Sequence, residues 1–404
     1  MSDITPLEAM NVPLYYIAGN AEEAGFETPP NPHGQSLRTW VRTVGGMQKE
    51  ALVVNAASGA AWRFACDEGA HLGGFNKAPN PLTYLTAGLI ASYMNEVMAL
   101  AKQRSIELRD LQLTLDNYYY REGDFREGSM MSGALAPELG VHCDSGCDDA
   151  TLNTLLYEAV AASPINGLAR GEHPSLFNLV HNGREITPDQ VTPLKMDPFP
   201  NPGDNFPNLK SMDPSPAVDN LIGELSPEAE GYDSLEKLRV EPPQLAENQH
   251  LLHLHATCWE REDGVKVIYK EQDQDAVPEW RYLSEEMVGL GGQGRAPDAT
   301  SLISAGIGLC FMTQMGRFAG MSKQPMNDYS IIQDTHFSLG GASHGTGQAG
   351  TAQPVETHVF IDSDHDDNVA QDILGVAERT CFLHAFCRDD LKPKVRPIKT
   401  SRAA

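Results

Sequence analysis

The chain has 404 residues, 41% of them hydrophobic and 21% charged, with a formal net charge of −25. That length allows two or three domains with a sizeable core, and the acidic field repels phosphate backbones and anionic lipid, so no nucleic-acid or membrane partner is expected. The start MSDITPLEAM has no basic or apolar leader pattern, no run of eighteen apolar residues follows, and the seven cysteines are irregularly spaced, so a cytoplasmic protein with free thiols is expected.

Residues 1–34 are polar and rich in Pro and Gly, and read as an N-terminal arm lying on the surface or wrapping the other copy of the repeat described below. Strand-like runs follow over 36–44, 51–57 and 61–66, the pattern of an antiparallel meander. After Leu72-Gly73-Gly74 the pattern turns helical over 82–102. It is extended again over 112–119 and near Val141, then helical over 149–162. A strand over 176–180 ends at Asn182-Gly183, a hairpin signal. Residues 187–248 are dense in Pro, Asp, Asn and Glu and read as an extended linker. Its Phe199, Phe206 and Leu209 predict that it lies against the body. Strands over 253–260, 265–270 and 280–283 follow. Next come a helix over 299–318 capped by Asp298, a strand over 329–339, a short strand near Val359, a helix over 367–386 and a strand over 395–398.

The second series repeats the first at a constant spacing of 218 residues. Trp62-Arg63 returns as Trp280-Arg281, Glu68 as Glu286, Ala87-Gly88 as Ala305-Gly306, and Asp144-Ser145 as Asp362-Ser363. Two copies of one domain explain this: repeat 1 over 35–186 and repeat 2 over 249–404, joined by the linker 187–248. Small residues line both long helices (Ala87, Gly88, Ala91; Ala305, Gly306, Gly308), and the glycines among them weaken a helix. Their recurrence points to two helix backbones in close approach.

The copies differ where chemistry would sit. Cys310 and Cys381 stand where the first copy has Ser92 and Ser163. Losing both thiols together is expected if they act together. Cys310 lies about three turns into its helix, beyond the reach of the helix dipole, so its thiolate needs an arginine or a carboxylate network from elsewhere. Cys387, six residues beyond Cys381, faces another side of a continuous helix. His142-Cys143-Asp144-Ser145-Gly146-Cys147 and His253-x-His255 carry metal-ligand residue types without a full tetrahedral set, and no metal or cofactor is expected. Gly345-x-Gly347-x-x-Gly350 spells a dinucleotide motif but lies between strands; it reads as a flap over the site. Tyr118-Tyr119-Tyr120 reads as strand and rim packing.

Each copy resembles the OsmC/Ohr proteins, thiol-dependent peroxidases of organic hydroperoxides. The resemblance lies in Gly291-Gly292-x-x-x-Ala296-Pro297, in Ala305-Gly306-x-x-x-Cys310, in Ala377-Glu378-x-x-Cys381, and in Ala161-Ala162-Ser163-Pro164 of the first copy. It implies an α+β fold in which antiparallel sheets wrap two central antiparallel helices, here two OsmC-like repeats forming an intramolecular pseudo-dimer. It also implies a peroxidatic Cys310, a resolving Cys381, a small apolar hydroperoxide as substrate and a dithiol reductant. The family activates its thiol with an arginine from the N-terminal strands, for which Arg38, Arg42, Arg63 and Arg281 are candidates. The family's glutamate, ten residues before the cysteine, is Thr300 here, and Glu286, Glu285 or Asp298 would replace it. Two other readings stand beside this one. The first is a different cysteine nucleophile acting on an organosulfur or acyl compound. The second is a non-catalytic binder of a small ligand between the copies. Further homo-oligomerisation is compatible with all three.

Overall fold

A computed structural model describes residues 4–20, 26–124, 127–201, 206, 220–226, 229, 241–272 and 277–400. The chain is mixed α+β. The N-terminal arm supplies helix α1 (Pro6–Ala9) and strand β1 (Tyr15–Asn20). Then come β2 (Gly34–Gly45), β3 (Gln48–Asn55), β4 (Ala60–Cys66), helix α2 (Pro81–Gln103), β5 (Arg109–Glu122), β6 (Met131–Asp144), α3 (Asp149–Ala162), α4 (Pro164–Arg170) and β7 (Leu176–His181). Short strands β8 (Arg184–Ile186), β9 (Thr192–Pro193) and β10 (Ile222–Glu224) follow. The later series is β11 (His250–Glu260), β12 (Lys266–Gln272), β13 (Trp280–Ser284), α5 (Ala299–Ser322), β14 (Asp328–Ser338), β15 (Glu356–Asp362), α6 (Asp367–Thr380), α7 (Phe382–Arg388) and β16 (Lys394–Lys399). From α3 to β7 the element bounds return 218 positions later as α6, α7 and β16.

Two departures from the sequence reading bear on the site. The strand near Val141 is not short: β6 has 14 residues. The helix over 367–386 is two helices, broken at Cys381, whose backbone is extended (φ −76°, ψ 117°). The same break falls at Ser163, directly before Pro164, and proline drives the residue before it out of the helical region. Cys381 therefore sits at the N-terminal boundary of α7, in extended backbone, and does not ride on a helical face.

The strands form two sheets. The first runs β1-β4-β3-β2-β14-β15-β7-β8, with β9 against β7, and the second runs β10-β13-β12-β11-β5-β6-β16. Each sheet interleaves early and late strands. The antiparallel seam β2·β14 sets Asp334 opposite Arg38, and the antiparallel seam β5·β11 sets Asp116 opposite His255. The outer pairs β7·β15 and β6·β16 are parallel. The arm is thus not merely laid on the surface, because β1 extends the first sheet beyond β4.

Helices α2 and α5 pack on each other. α5 lies on β2, β3 and β14, and α2 on β11 and β5. Asp298 starts α5 by accepting the Ser301 N–H at 2.9 Å, and Lys323 ends it in the left-handed region at φ 58°. Pro81 opens α2 at a position where no backbone donor is lost. The crossing is backbone to backbone. A Cβ on Gly88 would stand 2.6 Å from the Ala299 carbonyl oxygen, and one on Gly306 would stand 3.1 Å from Leu85 N and from Pro81 O. Those glycines trade helix propensity for this approach. α5 is long and apolar enough to cross a membrane, and here that apolar surface is buried inside the protein.

Apolar side chains of both helices and of the facing sheets form one core, including Val41, Val53, Leu115, Leu309 and Val359. β3 is buried on both faces. Leu52 and Val54 point away from the helices and are covered by Tyr16, Phe26 and Phe206, with Phe199 alongside. This is why the strand reads as a continuous apolar run. The linker phenylalanines also stack on cations: the Arg38 guanidinium carbon lies 4.0 Å from the Phe199 ring centre, and that of Arg42 4.5 Å from Phe206. Leu209 lies outside the described residues.

Candidate functional site

The helix crossing fixes where the thiols sit. Cys310 is in the middle of α5, and Cys381 is at the break between α6 and α7. The earlier series pairs oxygens at the corresponding positions: Ser92 Oγ lies 2.8 Å from Ser163 Oγ. Cys310 and Cys381 are both buried and in hydrogen-bonding contact, and the Leu383 N–H also donates to the Cys310 sulfur. Burial holds the Cys310 thiol well above the usual range. The contact with Cys381 pushes it further up, and the Leu383 N–H opposes this. Cys310 therefore rests as a thiol, and its anion has to be favoured by charge brought to it.

A cavity of about 180 Å³ opens on Cys310, and both halves of the chain wall it. α5 contributes Cys310, Thr313 and Arg317, and α7 contributes Phe382. Glu68 and His71 come from the loop after β4, and Arg121 from the end of β5. Thr313 Oγ1 donates to Glu68 Oε1 at 2.8 Å. Burial raises the Glu68 carboxyl, with Lys49 and the Thr313 bond pulling it back. Burial lowers the Arg317 pKa, and the neighbouring Arg121 charge lowers it further. The Glu68 carboxylate opposes this and raises it in part. Two cations sharing one small cavity favour an anion inside it. Tyr119, read from the sequence as strand packing, lies close enough to Cys310, Cys387 and Cys381 for their charges to raise its pKa, after burial itself. Its hydroxyl is buried without a hydrogen-bond partner.

The structure brings Cys310 and Cys381 together but sends the other expected residues elsewhere. Arg38 grips Asp334 with two hydrogen bonds of 2.8 and 2.7 Å. Arg42 and Arg63 both hold Glu50, at 2.6 and 2.8 Å. Arg281 donates to the Asn220 carbonyl. Glu285 holds Arg295, and Asp298 caps α5. Glu286 is raised by burial to about 6 and lies 3.9 Å from His344. None of these lines the thiol cavity. The carboxylate that does is Glu68, the counterpart of Glu286 one repeat spacing earlier. Glu68 rather than Glu286 reaches the cavity because the loop after β4 crosses to the helix of the other half.

The loop over 345–350 shows the same exchange. Glu96 of α2 accepts the Ala342 and Ser343 N–H groups at 2.7 and 3.1 Å, and the Gly350 N–H reaches the Ala161 carbonyl at 2.8 Å. The loop lies beside Ser163 and does not line the thiol cavity. The two cavity arginines were missed because they lie outside every motif, yet the spacing marks them. Arg121 and Arg317 correspond to Leu339 and Ala99, so the serine pair lacks, at the corresponding positions, both the cations and the thiols. Asp116, His253 and His255 form a separate buried cluster on the β5·β11 seam, and Asp116 belongs to no motif, although the spacing returns it as Asp334.

No curated protein matches the chain. Among solved structures, it is similar to an OsmC-like hydroperoxide resistance protein from Jannaschia sp. CCS1. The identity is 17%, the match covers 33% of this chain and 83% of that one, and the TM-score is 0.21. Residues 292–395, which hold the loop before α5, both thiols and the start of β16, match the family described as OsmC-like protein. The chain thus carries an OsmC-like domain in its second half.

Proposed function

We propose that this chain is a thiol peroxidase of organic hydroperoxides. It is built as two OsmC-like repeats, 35–186 and 249–404, joined by the segment 187–248 and folded as an intramolecular pseudo-dimer. The interleaved sheets and the recurrence of elements at one spacing support the pseudo-dimer. The observation that carries the activity is the buried contact of Cys310 with Cys381 at a cavity that also holds Arg121 and Arg317.

In the first step the Cys310 thiolate, favoured by the two guanidinium groups, attacks the outer oxygen of the hydroperoxide. The O–O bond breaks, and the alkoxide leaves as the alcohol after taking a proton. Glu68, whose carboxyl burial keeps prone to protonation, is the nearby group suited to return it. Cys310 is now a sulfenic acid. The Cys381 sulfur attacks it, water leaves, and a disulfide forms. A dithiol reductant restores both thiols by exchange. The apolar part of the wall, Leu72, Leu252 and Phe382, favours an organic group over hydrogen peroxide.

The test is peroxide consumption with a dithiol reductant by the wild type and by Cys310→Ser. Consumption should be abolished in the variant, and undiminished consumption refutes the proposal. Turnover of an acyl or organosulfur compound without any reductant would replace it with the other nucleophile chemistry.

A further inference from the structure

The two seams between early and late strands are built on the same aspartate. Asp116 and Asp334 lie 218 positions apart, each on the strand that crosses to the other half of the chain. At the β2·β14 seam the residue opposite Asp334 is Arg38, and its guanidinium satisfies both carboxylate oxygens. At the β5·β11 seam the residue opposite Asp116 is His255, and there is no arginine. His253 and His255 lie two apart on one face of β11, so both rings reach the same neighbour on β5. His253 Nε2 lies 2.7 Å and His255 Nδ1 2.8 Å from the same oxygen, Asp116 Oδ1. The three residues are 0–2% exposed. The other oxygen, Asp116 Oδ2, and the far ring nitrogens, His253 Nδ1 and His255 Nε2, are buried with no partner. A buried, half-satisfied polar cluster is costly, and such orphans call for a missing ion or water.

We propose that Asp116, His253 and His255 bind a divalent first-row transition metal ion of the zinc class, which cross-links the β5·β11 seam as Arg38 cross-links the other. Two imidazole nitrogens and a carboxylate oxygen are a donor set for such ions. The candidate ligand atoms already lie within 4.8 Å of one another. With neutral imidazoles, binding moves each proton to the far ring nitrogen, so His253 Nδ1 and His255 Nε2 become donors and the nearer nitrogens become ligands. Asp116 Oδ2 or a water completes the coordination. The ion supplies to Asp116 the positive charge that Arg38 supplies to Asp334 at the other seam. The chemically similar group Asp334, His336 and Glu356 is not such a site, because Arg38 already occupies both Asp334 oxygens.

The test is zinc stoichiometry and affinity on the full chain after chelator treatment, with Co²⁺ as an optical probe. The expected result is one zinc per chain, and a cobalt spectrum with visible ligand-field bands but no thiolate charge-transfer band. Asp116→Asn and His253→Gln should each weaken binding by at least about tenfold, the lower end for losing even an outer partner of a ligand. A Cys310→Ser/Cys381→Ser chain should bind zinc as the wild type does. Three outcomes overturn the proposal: no stoichiometric zinc, binding that survives His253→Gln but vanishes with the two thiols, or a thiolate band in the cobalt spectrum. The wild-type spectrum decides the matter even where a variant fails to fold.

Discussion

Treating the reduced protein with one equivalent of an organic hydroperoxide should remove two hydrogens and join Cys310 to Cys381. The two thiols are buried together and interact directly, which places them as partners for this bond. The closed loop would hold roughly seventy residues. In the chain-entropy treatment, loops of about 15 and 100 residues give about 3 and 4.7 kcal/mol, so this one should stabilise the fold by about 4 kcal/mol if the native geometry is unstrained. Intact mass followed by peptide mapping under non-reducing conditions identifies the bond, and denaturant unfolding of oxidised and reduced protein gives the energy. Cys381→Ser should instead accumulate a sulfenic acid on Cys310 that a sulfenate trap captures. The reasoning fails if the oxidised protein carries a sulfinic acid on Cys310 beside a free, alkylatable Cys381. It fails equally if the bond joins Cys381 to Cys387, or if the bonded form unfolds no later than the reduced one.

Replacing Arg121 or Arg317 with Met removes a cation that favours the thiolate. Each should cost about tenfold in kcat/KM, the equivalent of roughly one pKa unit, and shift the rise of the pH–rate profile toward alkaline pH; an unmoved profile would show that the charges do not act on sulfur. Ser92→Cys/Ser163→Cys should give a second disulfide on oxidation, since the two oxygens are 2.8 Å apart. It should not add peroxidase turnover, because Leu339 and Ala99 stand where the arginines would be; a doubled rate contradicts this. Glu286 is raised by burial from 4.5 to about 6, so the folded state holds its proton more tightly than the unfolded state. Its contribution to stability is full below pH 4.5 and is lost as pH rises through about 6. Glu286→Gln should therefore stabilise the protein by up to ~2 kcal/mol at pH 7 and leave it unchanged near pH 4, and a gain independent of pH would argue against this.

Much of the fold could be read from the sequence because its signals are local. Asp148 and Asp366 cap α3 and α6 as acidic N-caps do, and Asn182 and Gly183 turn between β7 and β8 with positive φ. The two thiols were legible because the serine copy provides an internal control. The break at Cys381 was harder: only the earlier copy marks it with a proline, Pro164, while the later one has Phe382. The remaining groups of the site were not legible from any local pattern. Glu68 and Arg121 reach Cys310 only through strands that cross between halves, and no periodicity encodes that crossing. Asp116 lies in an ordinary strand sequence, and only the register of β5 against β11 puts it beside two histidines.

The walls of the sulfur cavity come from distant stretches of a single polypeptide, which has consequences a pair of identical subunits would not have. Assembly is unimolecular, so dilution cannot take the site apart; its parts stay at a high effective concentration however little protein is present. Identical subunits must also write every substitution twice, once on each side of their axis. Here Arg121 can stay beside sulfur while the residue 218 positions later is Leu339, so the two stretches are free to diverge, each keeping only what its own side of the cavity needs.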